Sequence, residues 1–215
     1  MQMIIGLVVV LLAYLSSQML GLYTLNWVLD NFLGSILLVI VVVFQSDIRR
    51  ALTQVGATPL FGGADRIERG QVLEEITKAV VALASKRIGG LIVLEREVGL
   101  NEYIEVGTHL DARVSRELLE SVFIPHSPMH DGALVIQKGR VAAARCFLPL
   151  SVDPNLSKTL GTRHRAAVGL TEETDAVVIV ISEEQGKISL VVGGKVDHDL
   201  DGPRLRSSLQ GLFGS

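Results

Sequence analysis

The chain has 215 residues, 48% hydrophobic and 20% charged, with a net charge of −3. That balance argues against a duplex-binding basic protein, and a lone cysteine, Cys146, rules out an intrachain disulfide framework. The length suits one globular domain with a remainder, and the mean hydropathy of +0.42 says that the remainder is apolar.

The apolar surplus is N-terminal. Residues 1–29 carry no charged side chain, Asp30 interrupts, and 31–46 are again uncharged. MIIGLVVVLLAYLSSQMLGL, 3–22, has the length a helix needs to cross a hydrocarbon core. A second run, 30–46, built on FLGSILLVIVVVF, just reaches that length. Tyr23 and Trp27 lie between them, where interfacial aromatics are expected. Both runs are apolar on every side, which favours two transmembrane helices over a buried hairpin. A signal peptide is disfavoured because no basic segment precedes the first run and a second run follows it. Arg49 and Arg50 follow the second run, so the positive-inside rule puts the rest of the chain in the cytoplasm. Residues 1–47 are therefore read as a membrane anchor at the cell membrane.

Residues 48–70 read as a linker, since TQVGATPLFGGADRIERG, 53–70, holds a proline and four glycines. The domain proper is placed at 71–200. In QVLEEITKAVVALASKRIGG, Leu73, Ile76, Val80 and Leu83 recur at helical spacing, with Gly89 as the stop. LIVLER, 91–96, reads as a buried strand and RELLESVF, 116–123, as a helix that stops before Pro125. Two apolar runs around Lys138-Gly139 predict a hairpin. VVIVI, 177–181, and KISLVV, 187–192, predict another. Pro203 opens a last helix, 203–213, within a C-terminal segment 201–215. Cys146, in an apolar run, reads as a core residue. The hairpins are too short for crossovers, so the fold class is a mixed α/β sheet covered by helices and not a purely parallel one.

Three clusters could do chemistry. In PHSPMHDGALVI, Pro125 and Pro128 break any helix that would let His126 and His130 share a metal, and no other His or Cys completes a zinc site. Asp131-Gly132 instead stands at the mouth of a strand, where a carboxylate can take a proton from a hydroxyl or hold a hard cation. An ordinary Asp-Gly turn is the plainer alternative. In GTRHRAA, Thr162 can cap a helix that begins at Arg163. Cations at a helix N-terminus are unfavourable unless an anion compensates, which argues for a bound phosphate. The alternative is a basic face paired with acidic residues elsewhere. In ISEEQGK, Ser182 and Glu183 could touch phosphate or metal, or form a polar turn. No phosphate-binding GxxxxGK[ST] loop is present. The combination suits phosphoryl or nucleotidyl transfer.

DGA at 131–133, RHR within 161–167 and SEE at 182–184, in this order, resemble the diadenylate cyclase (DAC) domain over about residues 71–200. The hydrophobic N-terminus followed by FQSDIRRAL resembles the family's membrane-anchored bacterial subclass. That subclass carries three spans, and the first run here resembles its second. The resemblance implies the DAC fold and the condensation of two ATP molecules to cyclic di-3′,5′-AMP, a second messenger, with loss of two pyrophosphates. It implies a face-to-face homodimer, a divalent cation (Mg²⁺ or Mn²⁺) and a membrane regulator, with no nucleic acid as partner. Asp131 would orient the 3′-hydroxyl and bind metal, with His130 as a further ligand. Gly132 and Ala133 would let the backbone approach the nucleotide. Thr162, Arg163, His164 and Arg165 would hold the triphosphate, Ser182 and Glu183 would contact phosphate or metal, and Leu148 would lie near adenine. The alternative is a non-catalytic nucleotide-sensing module that regulates a membrane partner.

Overall fold

The computed structural model describes residues 23, 27, 64–154, 156 and 160–213, the first six of the segment 64–69 by backbone alone. Both predicted spans lie outside the described residues, as does most of the predicted linker. Among the described residues no helix is long and apolar enough to cross a membrane. Apart from Tyr23 and Trp27, the described residues belong to one compact unit, Thr53–Ser215.

Helix α1 runs Ala64–Ser85, so it begins inside the stretch read as linker. Gly70 does not break it, and the Gly-rich composition that suggested a linker ends at Gly63. After β1 (Gly90–Leu94) come a short helix α2 (Asn101–Glu105) and β2 (Thr108–Arg113). Helix α3 (Arg116–Phe123) opens on Ser115, whose side chain accepts from the Leu118 N–H, an N-cap in the usual sense. The hairpin β3 (Ala133–Gln137) to β4 (Arg140–Cys146) turns at Lys138 and Gly139, both at positive φ. That pair of left-handed residues matches the twist of the flanking strands. Helix α4 (Thr162–Glu173), β5 (Val177–Ile181), β6 (Ile188–Val192), β7 (Lys195–Leu200) and α5 (Gly202–Phe213) complete the domain.

The seven strands form one sheet in the order β2-β4-β3-β1-β5-β6-β7. Only β1 and β3 pair in parallel; every other neighbour is antiparallel. The mixed sheet agrees with the hairpins read from sequence.

The central strands alternate between two cores, as the period of two requires. Ile92, Leu94, Leu134, Ile136, Ile179 and Ile181 face α1, α3 and α5, where Ile76, Leu83, Leu119, Phe123, Leu205 and Leu209 meet them. Leu91, Val93, Val135, Val178 and Val180 face the other way, onto α2 and α4. Each such side chain, fully buried, contributes about 1.5–3 kcal/mol of transfer free energy. Cys146 belongs to the second core and is fully buried, which pushes its thiol up to about 11. A thiol so held stays protonated and inert.

Candidate active site

Strand direction gathers the predicted motifs at one end of the sheet. Because β1 and β3 run parallel, Gly89 before β1 and Asp131-Gly132 before β3 leave from the same edge. Strand β5 is antiparallel to β1, with Ile181 opposite Gly90, so Ser182 and Glu183 emerge there too. Cys146 pairs with Ala133, and the segment CFLPLS leaves β4 at that same edge. Strands β3 and β5 flank β1, so Asp131 and Glu183 leave the sheet about 10 Å apart at the usual strand spacing.

Helix α4 brings the basic motif to this edge. Arg163 Nη1 donates to Glu183 Oε2 at 2.8 Å, and the two side chains are 30% and 60% exposed. An ion pair this wet is worth ~1 kcal/mol or less. A phosphate can therefore replace the carboxylate at little cost. Of the two sequence readings of the basic cluster, this contact is the pairing with an acidic residue: the anion beside the Arg163 guanidinium is Glu183.

The cap is a correction. Thr162 lies inside the helix as its first residue, and Gly161 is the N-cap, with no side-chain hydrogen bond. The first intrahelical bond runs from the Arg165 N–H to the Gly161 carbonyl. The amides of Thr162, Arg163 and His164 thus have no acceptor within the helix, the arrangement that suits a helix N-terminus to an anion.

Three consecutive helical residues cannot share one direction, since each turns about 100° from the last. Arg163 takes Glu183. Arg165 is exposed and its side chain has no partner among the described residues, while its carbonyl accepts from the Ser151 N–H at 3.0 Å. His164 is half-buried, and its Nε2 lies 3.2 Å from Ser189 Oγ. Ser189, itself buried, also lies 3.3 Å from His198 Nδ1. Burial, then the neighbouring His198, lowers the His164 pKa, so the ring is neutral around pH 7. As a triphosphate ligand His164 is therefore not a free cation: one ring nitrogen is already engaged inside the domain.

The remaining predicted residues fall as follows. Asp131 is exposed in the turn before β3. Gly132 has φ 123, and a β-carbon there would lie 3.0 Å from the Arg145 backbone and the Cys146 carbonyl. The glycine is thus required first by β4. The Ala133 side chain is buried in the second core, which leaves only its backbone for a ligand. Leu148 is half-buried against that core. Ser182 Oγ accepts from the Gln185 N–H at 3.3 Å, and its own N–H donates to the Lys187 carbonyl at 2.9 Å. It shapes the β5–β6 turn that presents Glu183.

His130 Nδ1 lies 2.6 Å from the Ser127 carbonyl. A ring nitrogen at that distance from a carbonyl is the N–H donor, an orienting bond of the kind that metal-binding histidines make through their other nitrogen. Among the described residues no group of three or more His, Cys, Asp or Glu comes together. A closed protein cage is therefore not formed. Magnesium ions are commonly held by one or two carboxylates plus substrate phosphates, and the carboxylate of exposed Asp131 is of the residue type suited to that sparser role.

Ser189 and His198 are site neighbours that sequence reading passes over. The signal available was weak: one serine in the apolar KISLVV, and a histidine between two aspartates in a strand whose pattern is mostly polar.

Residues 77–196 match the DAC family, described as DisA bacterial checkpoint controller nucleotide-binding. Over 215 residues the chain is 44% identical to the cyclic di-AMP synthase CdaA of Bacillus subtilis, covering 99% of this chain and 79% of that protein. The chain belongs to the diadenylate cyclase family. A diadenylate cyclase of Listeria monocytogenes is 43% identical over 97% of this chain and 77% of its own. Among solved structures, DacA of Staphylococcus aureus, as a double mutant, is 48% identical with a TM-score of 0.64, covering 66% of this chain and 94% of that one. A hypothetical membrane spanning protein of Bacillus cereus is 40% identical with a TM-score of 0.58, covering 60% of this chain and 63% of the other. The mixed sheet with its flanking helices is thus the diadenylate cyclase fold, and DGA, RHR and SEE all lie within the matched region.

Proposed function

We propose that this chain condenses two ATP molecules into cyclic di-3′,5′-AMP with release of two pyrophosphates. Membership of the diadenylate cyclase family supports a nucleotidyltransferase that makes this product. The observation that carries the reading to particular residues is the convergence of Asp131, Arg163 and Glu183 on one sheet edge, with open amides at the α4 N-terminus beside them.

Charge distribution divides the work. Arg163 and the N-terminal amides of α4 hold the triphosphate, while Arg165, turned to solvent, adds positive charge nearby. Asp131 accepts the proton of a 3′-hydroxyl, or orients it, from across the sheet edge. The hydroxyl oxygen bonds to the α-phosphorus of a second ATP, the bond from that phosphorus to the bridging oxygen breaks, and pyrophosphate leaves with the electrons. Mg²⁺ or Mn²⁺, brought with the phosphates and reached by Asp131, His130 or Glu183, would neutralise charge on them. Preorganised donors around the leaving pyrophosphate provide the stabilisation that matters in phosphoryl chemistry.

One chain has one such edge, and a cyclic product needs two hydroxyls and two phosphates. A second copy turned face to face supplies them by two-fold symmetry. Phe147, Leu150 and Val152 support that reading. They are apolar, more than half exposed, and lie on the segment leaving β4 beside the site. The uncharged runs 3–22 and 31–46 support a membrane anchor with the domain in the cytoplasm.

The deciding experiment incubates the purified 215-residue chain with ATP and Mn²⁺ or Mg²⁺ and identifies products by mass. Cyclic di-AMP with pyrophosphate is expected. ATP binding without any dinucleotide product would favour a nucleotide sensor instead, and ADP or AMP as sole product would defeat the reading.

A further inference from the structure

Gly89 lies between the end of α1 and the start of β1. The residue that ends the helix in left-handed conformation is Arg87, with φ 55, and the Ile88 N–H closes back on the Leu83 carbonyl at 2.9 Å. Gly89 is thus not the helix stop that its sequence context suggests. Nor is its φ positive, so a left-handed backbone is not what calls for glycine.

Space is what requires glycine here. A β-carbon at 89 would lie 2.5 Å from Arg163 Nη1, 2.8 Å from Arg163 Cζ and 2.9 Å from Glu183 Oε2. All three are the ends of flexible side chains, so a methyl group would move them and leave the fold in place. At neighbouring Gly90 the same construction meets Ile181 and Phe123 in the core, the nearest at 3.2 Å. Two adjacent glycines therefore answer to different parts of the molecule, one to the core and one to the ion pair at the site.

We propose that Gly89 is a positioning residue for nucleotide binding: its bare α-carbon seats the Arg163 guanidinium, steadied by Glu183, beside the open N-terminus of α4 where the ATP phosphates dock. This rests on the reading that Arg163 holds phosphate. An arginine left to wander loses side-chain freedom when it captures a ligand, whereas a seated one has already been ordered. The buried position of Gly89, covered by these two side chains, is what orders it.

The test measures affinity for α,β-methylene-ATP, which cannot release pyrophosphate, by calorimetry on the purified 215-residue chain. Gly89→Ala should weaken binding about tenfold, the scale of one charge-assisted contact, with an unchanged thermal midpoint. In ATP turnover it should raise KM more than it lowers kcat. In an Arg163→Ala background the same substitution should have no further effect on affinity, because the group it displaces is gone. Gly90→Ala should leave affinity unchanged. The inference is overturned if Gly89→Ala binds normally, or if it costs as much without Arg163. It is equally overturned if Gly90→Ala matches its loss, or if Gly89→Ala abolishes the folding transition, since the methyl would then be meeting the fold. Failure of the proposed activity is seen separately, as a wild-type chain that makes no cyclic dinucleotide, while the affinity comparison still reads Gly89.

Discussion

Arg163 is the side chain on which the site turns, because it alone joins the basic motif to the acidic turn after β5. Its pairing with a mostly exposed carboxylate contributes little to stability, so truncation should separate binding from folding. Arg163→Ala is expected to weaken ATP affinity by about 10- to 100-fold, from loss of a charge-assisted contact of about 1.5–3 kcal/mol. The unfolding midpoint in urea should shift little, and calorimetry beside a denaturation curve checks both. His164 gives the opposite separation. Its pKa is lowered in the folded chain by burial and by His198, so the unfolded chain takes up the proton first. The stability that neutral His164 allows is fully present above its ordinary value of 6.5. It drains away as pH falls from there through the lowered folded value. Between about pH 7.5 and about pH 5.5 the wild-type chain should lose more stability than His164→Gln, which cannot titrate there. Parallel losses in urea titrations would show that the His164–Ser189–His198 cluster does not sense protons. At this scale the sequence was informative about residue type and poor about direction. RHR was visible as a phosphate-binding pattern, yet helical geometry sends its three side chains to Glu183, to Ser189 and to solvent. No pattern in one dimension gives those partners.

Elements whose apolar residues face a core were legible, and the others were not. VVIVI and RELLESVF form β5 and α3 with the bounds read from the sequence. Strands β2 and β7 escaped because they are the edges of the sheet. THLDAR alternates only through half-buried Leu110 and Ala112, and KVDHDL buries only Leu200, so the alternation that marks a half-buried strand is short in one and broken in the other. Polar edge strands are what a sheet needs to avoid pairing with another chain. The same lack of apolar signal hid helix α2. At the mouth of β3 the family resemblance implies that Gly132 and Ala133 let the backbone approach a nucleotide, and the constraint on Gly132 that the structure shows is β4. Gly132→Ala would combine a φ of 123 with a β-carbon 3.0 Å from backbone atoms of Arg145 and Cys146. The strained backbone alone should destabilise by about 1–3 kcal/mol, and the β3–β4 register would have to shift as well. Gly99→Ala, where a β-carbon meets nothing within 4 Å, is the matched control. Urea midpoints that agree between the two variants would mean that the turn yields without cost.

For the molecule as a whole, the arrangement makes each domain half of a reaction. Asp131 and Arg163 are gathered at one sheet edge, and on the proposed two-copy arrangement both serve the one nucleotide that their copy holds, so each new bond joins the hydroxyl served by the Asp131 of one copy to the phosphate held by the Arg163 of the other. Asp131→Asn and Arg163→Ala should each abolish or severely reduce cyclic product when purified alone. Mixed together, they form some dimers in which the Asp131 of one copy faces the Arg163 of the other. One phosphodiester bond then forms between intact groups, while the second would need both altered ones. The expected product is the linear dinucleotide that retains a 5′-triphosphate, accumulating in the mixture above the level of either variant alone, with little cyclic di-AMP. Mass spectrometry of the nucleotide pool reads this directly. If each bond instead drew its aspartate and its arginine from the same copy, the mixture would give no more linear product than its components. Full recovery of the cyclic product would mean that one intact pair serves both bonds in turn. The outcome thus reports which copy contributes which group, a property that belongs to the assembly and to no single chain.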